Sequence, residues 1–456
     1  MSHEEQDDDL VLTKDDVEEV IEDDGEPGEP MEDDDDVPAD AEPMIKDDPD
    51  EPRDRPDNAW AGSFLHKPES SIFALALHPS FPNPPLAVTG GQDDLGYLFC
   101  PLPQKATGGF TRHDFAPIPL TGHTDSVAAA AFSADGEYIA TGGMDGRVRV
   151  WRRVTKRRGP EPAPESAEAW KYWEFITSLE AGGEVQWLQW HPKGPVLTAG
   201  CEDASVWMWQ LPTGRTMTVL SSHTMLCTAG IFPPPSAKQL ITASLDSSFV
   251  VWNPSTSSPE LKMHVFCSPH APNLDPQIHG ITSLAAHPYG GLVAVGGAGG
   301  RVRLIALPRG EIVSTLEDHQ RGESIEQLQF IDLLQGADGG KGVILVSAGT
   351  DGRCFVWDAT TYRVRATLPH PESVTAFAAH PAPCQYLVTT ACLDRTLRTW
   401  DVRTGRLLAE HVGHVGVVNC VAVGNAPEGG ESPLGLPQAQ VVISGGDEGA
   451  SVIWRV

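Results

Sequence analysis

Apolar residues along this chain come in short bursts on alternate positions, as in VAAAAFS (127–133), VQWLQWHP (185–192), ITSLAAHP (281–288), VTAFAAHP (374–381) and VNCVAV (418–423). A period of two, broken by Gly, Asp and Pro, predicts strand–turn–strand units rather than helices. After each burst comes a second pattern, T-G-G-x-D-x-x-x-x-x-W. Eight copies align, ending at Phe99, Trp151, Trp209, Trp252, Ile305, Trp357, Trp400 and Trp454, at intervals of 43 to 58 residues. Four short strands per unit at this period describe one blade of a β-propeller, so eight copies predict eight blades.

These units resemble WD repeats. The buried hydrogen-bond set of that family, His, Ser/Thr, Asp and Trp, maps onto His123, Thr141, Asp145 and Trp151 in blade 2 and onto His223, Thr242, Asp246 and Trp252 in blade 4. It maps onto His319, Ser347, Asp351 and Trp357 in blade 6 and onto His370, Thr390, Asp394 and Trp400 in blade 7. Such a set satisfies buried polar groups where inner strands turn. A catalytic triad uses the same residue types, but nothing explains why one would recur in each repeat. Blade 5 departs from the set with Gly299 and Ile305, blade 8 carries Glu448 at the Asp position, and blade 1 ends in Phe99. The sequence stops at Trp454-Arg455-Val456, with no room for a fourth strand in the last blade. AWAGSFLHK (59–67) fits in length and pattern, and would remove an exposed edge by closing the ring. The expected fold is all-β: an eight-bladed WD-repeat propeller over 59–456 with this Velcro closure.

Charge divides the chain. Residues 1–58 hold 27 acidic residues against 4 basic ones, and the remainder holds 36 against 28. The first segment cannot bury enough apolar surface to offset its chain entropy, and is expected to be a disordered acidic tail. Its start does not read as a secretory signal, and no run reaches the roughly 18 apolar residues of a bilayer span. The eight cysteines form no C-x-x-C pair and no zinc spacing. They are expected to be reduced core thiols of a protein of the cytoplasm or nucleus, and no metal or other cofactor is implied.

Other motifs are weaker. GGAGGR (296–301) falls between two strands with no helix after it, so it reads as a turn and not as a dinucleotide loop. RRVTKRRG (152–159) reads as an exposed loop between blades 2 and 3, with nuclear import or an RNA contact as alternatives. Counterion-release binding to nucleic acid needs a basic surface, and this chain is acidic, so direct nucleic-acid binding is not expected. WDVR (400–403) matches the Trp-Asp-x-Arg box of propellers that serve cullin-type ubiquitin ligases, although Trp-Asp is also ordinary blade chemistry.

Propellers bind partners on the face where the middle strands turn and the chain enters the inner strand. The side chains preceding the Asp position read Gln92, Met144, Glu202, Leu245, Ala298, Thr350, Leu393 and Asp447; those at the start of the inner strand include Asp125, Glu184, Glu323 and Glu372. Acids without bases would attract a basic peptide and pair Arg bidentately. Met144 and Trp187 are candidates to stack on its guanidinium groups, with Trp187 equally readable as core.

Blade 3, GEVQWLQWHPKGPVLTAGCEDASVWMWQLPTG (183–214), resembles the angio-associated migratory cell protein family, as do LAVTGGQDD, LDRTLRTWDVRTGRLL (393–408) and the acidic tail. Fungal members of that family resemble dedicated chaperones of a large-subunit ribosomal protein. The resemblance implies a monomeric, non-enzymatic ribosome-assembly factor. It would hold the basic N-terminal segment of a ribosomal protein of the universal L-sixteen type on its acidic face. A scaffold or ligase receptor is the alternative.

Overall fold

A computed structural model describes residues 60–66, 70–102, 110–154, 163, 166–267, 275–336, 341–427 and 432–456. The acidic tail expected over 1–58 and most of the basic run after Val154 lie outside the described residues. The strands form eight four-stranded antiparallel sheets, each one blade. Blade 1 shows the order: Ile72–Leu77, Ala87–Gly91, Gly96–Phe99 and Ile118–Leu120, from the innermost strand outward. Blade 8 takes three strands from the end of the sequence, Val418–Asn425, Gln440–Gly446 and Ala450–Arg455. Its outermost strand is Trp60–Leu65, with Ser63 opposite Val452 and Leu65 opposite Ala450. The ring is closed as the sequence required.

The second strand of a blade is covered by the neighbouring blades on both faces, so it reads as a continuous buried run and not as an alternation. Leu240–Ser244, Val343–Gly349 and Leu387–Cys392 are buried at every position. The paired glycines of the repeat serve this packing. A Cβ on Gly142 would lie 2.5 Å from Val185 of the next blade, and one on Gly445 would lie 2.6 Å from Ile72 across the closure. The second glycine makes room for the histidine: a Cβ on Gly143 would meet His123 at 2.5 Å and one on Gly349 would meet His319 at 2.8 Å.

The histidine networks differ between blades. In blade 6 the set is fully connected: His319 bonds Ser347 at 2.8 Å and Asp351 at 3.0 Å, and Trp357 donates to Ser347 at 2.9 Å. In blade 2, His123 bonds Thr141 at 2.8 Å and Asp145 at 3.1 Å, while buried Trp151 meets Phe175 edge-on. Blade 4 corrects the expected pairing. The Ser248 hydroxyl stands between His223 and Asp246, bonding both, while Thr242 takes His223 and Trp252 at 2.7 Å each. Blade 7 corrects it again. His370 and Trp400 share Thr390, but the other ring nitrogen of His370 turns to the Leu368 carbonyl at 3.0 Å. Asp394 is held instead by buried Arg398 at 2.8 Å, an arginine that also reaches Glu410 at 2.8 Å.

Two further networks arise where the sequence showed no complete set. His66, just past the closing strand, bonds Thr89 at 2.7 Å in blade 1. His414 bonds Ser444 at 2.5 Å and the carboxylate of Glu448, whose extra methylene still delivers the acid to the ring. Blade 5 replaces the network by apolar packing. A Cβ on Gly297 would meet the Phe266 ring at 2.6 Å, the space that histidine fills elsewhere, and Ile305 is fully buried in the tryptophan's place.

Candidate functional site: an acidic rim

At one end of every blade the turn between the second and third strands is tied to the start of the inner strand. The backbone N–H of the residue before the Asp position donates to the carbonyl just ahead of the inner strand, at 2.8–3.1 Å in all eight blades. The pairs are Gln92–Ser71, Met144–Ser126, Glu202–Glu184, Leu245–Leu226, Ala298–Gly280, Thr350–Ser324, Leu393–Ser373 and Asp447–Val417. Because this clamp satisfies the backbone, the side chains are not needed to hold the turn, and they form a rim around the mouth of the ring. None of these sixteen residues is Lys or Arg.

The expected acids fall on or beside these clamps, in two positions the sequence did not separate. Glu184 is itself a clamp residue and faces Glu202 in blade 3. Asp125, Glu323 and Glu372 stand one residue earlier, ahead of Ser126, Ser324 and Ser373. Asp125 caps the Ser126 N–H at 2.7 Å, Glu323 accepts from the Thr350 hydroxyl at 2.7 Å, and Asp447 accepts from Asn419 at 2.7 Å. Each keeps acceptor capacity for a further donor, since an ionised carboxylate offers about four lone-pair sites. Asp125, Glu202, Glu372 and Asp447 are exposed, Glu184 and Glu323 half-buried. Arg147 and Arg353 open third strands and so stand outward of the clamps, and Arg301 and Arg321 lean on Glu317 at 3.5 and 3.7 Å.

One acid of the rim was missed. The inner strand of every blade begins with a β-bulge, and the extra residue it inserts is aimed away from the ladder. In four blades this residue ties its blade to the next: Thr228 to the Ile281 carbonyl, Thr282 to Ile325, Thr375 to Val418 and Asn419 to Ile72, at 2.5–3.2 Å. In blade 6 it is Glu326, which as a carboxylate has no proton to donate and stands exposed. The signal lay in the sequence as an acid where neighbouring repeats carry Thr or Asn, visible only once the bulge fixes the alignment.

The two stacking candidates separate. Met144 is 36% exposed on the blade 2 clamp. Trp187 is taken up between blades 3 and 4: its indole N–H donates to the Cys227 carbonyl at 3.1 Å, and its ring fills the space over Gly200 and Gly230. Of its two readings, stacking on the rim or packing in the core, this position is the packed one. The Trp-Asp-x-Arg box is also spent within its blade. Trp400 and Asp401 are buried, and Arg403 grips Asp401 at 2.7 and 3.0 Å with its guanidinium 3.7 Å above the Tyr386 ring. GGAGGR ends the second strand of blade 5 at Gly297 and forms the turn to the third.

The titratable groups behind the rim are held by the fold. Burial holds His223 down at about 4 and His411 at about 3, so both are neutral at physiological pH. Burial pushes the thiols of Cys100 and Cys227 up to about 12, where they have no thiolate character. Burial raises Asp246, but hydrogen bonds from Ser248 and Thr224 outweigh it and bring that carboxyl to about 2. Among the described residues no group of three His, Cys, Asp or Glu side chains could hold a metal ion. In front of them the rim sets acidic side chains on fixed backbone, an arrangement whose field would favour cations.

Comparison with known proteins agrees with the fold. The WD domain, G-beta repeat family matches residues 118–152, 173–210 and 363–401. A WD repeat-containing protein of Schizosaccharomyces pombe is 33% identical over 393 residues, covering 85% of this chain and 86% of that one. The human angio-associated migratory cell protein is 27% identical over 373 residues, covering 79% and 74%. The ribosome assembly protein SQT1 of Saccharomyces cerevisiae is 25% identical over 422 residues, covering 86% of each. A crystal structure of Chaetomium thermophilum Sqt1 bound to the N-terminus of the ribosomal protein L10 superposes with a TM-score of 0.68 at 25% identity, covering 88% of this chain and all of that one. With its eight closed blades, its repeated histidine networks and these relatives, the chain belongs to the WD-repeat family, and its homologues include the angio-associated migratory cell protein and Sqt1.

Proposed function

We propose that this protein is a ribosome-assembly chaperone that captures the basic N-terminal segment of a large-subunit ribosomal protein on its acidic rim. The expected partner is of the universal L-sixteen type; the related Sqt1 structure carries the N-terminus of the ribosomal protein named L10, so that segment is the one to test first. The observation that carries the reading is the clamp ring: acids on or beside the clamps in five of eight blades, and no base among the sixteen clamp residues. A segment rich in Arg and Lys is disordered when free and orders on binding, at an entropic cost. Charge-assisted hydrogen bonds from Glu184, Glu202, Glu372 and their neighbours offset that cost, and Met144 offers an apolar contact for the stem of a bound arginine. Capture takes place in the cytoplasm, by the monomer, without a catalytic step and without nucleic acid. The ligase-receptor alternative is disfavoured by the buried Trp400 and Asp401 and the internally paired Arg403.

The test is binding of a labelled L10 N-terminal peptide to the full chain at low and high salt. Affinity should fall steeply with ionic strength, because exposed charges are screened within about 8–10 Å at physiological salt. A variant carrying Glu184→Lys, Glu202→Lys and Glu372→Lys should lose at least about 100-fold in affinity, or about 2.7 kcal/mol. Unchanged binding by that variant would end the proposal.

A further inference from the structure

The rim is not uniformly acidic. Blade 4 fills both of its clamp positions with leucine, Leu226 and Leu245, and blade 5 fills its own with Gly280 and Ala298. The two blades meet there: a Cβ on Gly280 would lie 2.9 Å from a methyl of Leu245, so the leucine side chain spreads over the bare backbone of the next blade. Beside it the short helix Pro276–His279 buries none of its residues and presents Ile278, which is 54% exposed. The other apolar side chains on the clamps, Met144, Leu393 and Val417, each stand in a blade that also carries an acid on or beside its clamp. The saddle across blades 4 and 5 is different, because neither clamp there carries an acid and Leu245 of one blade lies against the bare clamp of the next. It is bordered by acids on both sides, Glu184 and Glu202 in blade 3 and Glu323 and Glu326 in blade 6.

We propose that this saddle is an apolar subsite of the acidic rim, and that it takes a large aliphatic or aromatic side chain lying between basic residues of the captured segment. The inference rests on the rim's proposed role as a receptor for a basic segment, and it adds a sequence requirement to it: basic, then apolar, then basic. The charge arrangement sets the order. A basic residue over the saddle would leave the acids on either side for leucines, whereas an apolar residue there lets its basic neighbours reach blades 3 and 6. Net charge alone would then not define the partner, and the saddle would reject basic segments lacking the apolar residue.

Two 15-residue peptides test this, each with six arginines, one with Leu-Tyr-Leu at its centre and the other with Ser-Ser-Ser. Fluorescence anisotropy with the full chain at low salt should show the Leu-Tyr-Leu peptide binding about tenfold more tightly, the gain expected from partly burying one large apolar side chain. In the Leu245→Ser/Ile278→Ser variant that preference should vanish while the Ser peptide keeps its affinity. Ile278→Ser alone, at an exposed position that the fold does not depend on, should remove part of the preference. Equal affinities in the wild type, or a preference that survives in the double variant, would overturn the subsite and leave the acidic rim standing. If neither peptide binds the wild type, the subsite and the receptor role fall together.

Discussion

Lowering the pH from 7 to 5 should unfold this propeller, and the reason is its buried imidazoles. Burial holds His78, His223 and His370 down at about 4, and His380 and His411 at about 3. In the unfolded chain each returns to about 6.5. The folded state therefore keeps these rings neutral while the unfolded state binds protons, so their stabilising contribution is full above about pH 6.5. It is lost progressively as the pH falls, until the folded pKa is reached and both states are charged. At pH 5 each such ring costs about 2 kcal/mol relative to neutral pH. Five together reach the order of 10 kcal/mol, as large as the whole stability of a typical domain, about 5–15 kcal/mol. His380 and His411 are joined by a buried hydroxyl chain through Thr389 and Thr399, with contacts of 2.7–2.8 Å. The depressed carboxyl of Asp246, at about 2, stabilises the fold above the carboxylate range near pH 4 and weakens only below it, so it does not contribute in this window. Urea midpoints followed by tryptophan fluorescence at constant ionic strength should fall from pH 7.5 to 5.5, with no folded baseline near pH 5. Removing one ring, as in His370→Asn, should flatten the pH slope by about 1 kcal/mol per pH unit near pH 5.5. A midpoint that is level between pH 7.5 and 5.5 would refute the reasoning.

Three other perturbations probe the frame. Thr242→Val keeps the shape of a fully buried side chain but strands His223 and Trp252, both bonded to its hydroxyl at 2.7 Å; chemical denaturation should show a loss of about 2–4 kcal/mol. Gly230→Ala puts a methyl group into the Trp187 ring; a loss of about 1–3 kcal/mol and an altered tryptophan emission are expected, and an unchanged midpoint would show that the ring has room to move. Deleting the chain through Leu65 removes the partner of Ala450–Arg455 and leaves an open edge; size-exclusion chromatography should show association or aggregation beyond that of the full chain. That outcome would reverse if a peptide spanning 59–67 were supplied in excess.

The number and type of the blades were written in the sequence because each repeat is a local event. A period-two burst, a tight Gly-Asp turn and a tryptophan all lie within one span of 43 to 58 residues, so strand order and closure follow from chain length and the need to hide an edge. The acids of the rim were legible for the same reason, since Glu202 and Asp447 are named by their place before the Asp position. What could not be read lies where side chains of different strands or blades compete for one partner. Asp394 matches the repeat, yet Arg398, four residues on, takes it from His370. Ser248 intrudes between His223 and Asp246. Trp187 sits on an inner strand beside the rim, but the absence of side chains at Gly200 and Gly230 draws its ring between blades. Glu326 became a rim residue only when the bulge set its register. The sequence by itself determined a ring of eight blades with an acidic rim. The tertiary structure decided which side chains that face presents, because a hydrogen-bond donor or a vacant space contributed by a distant strand outweighs the preference of any single position.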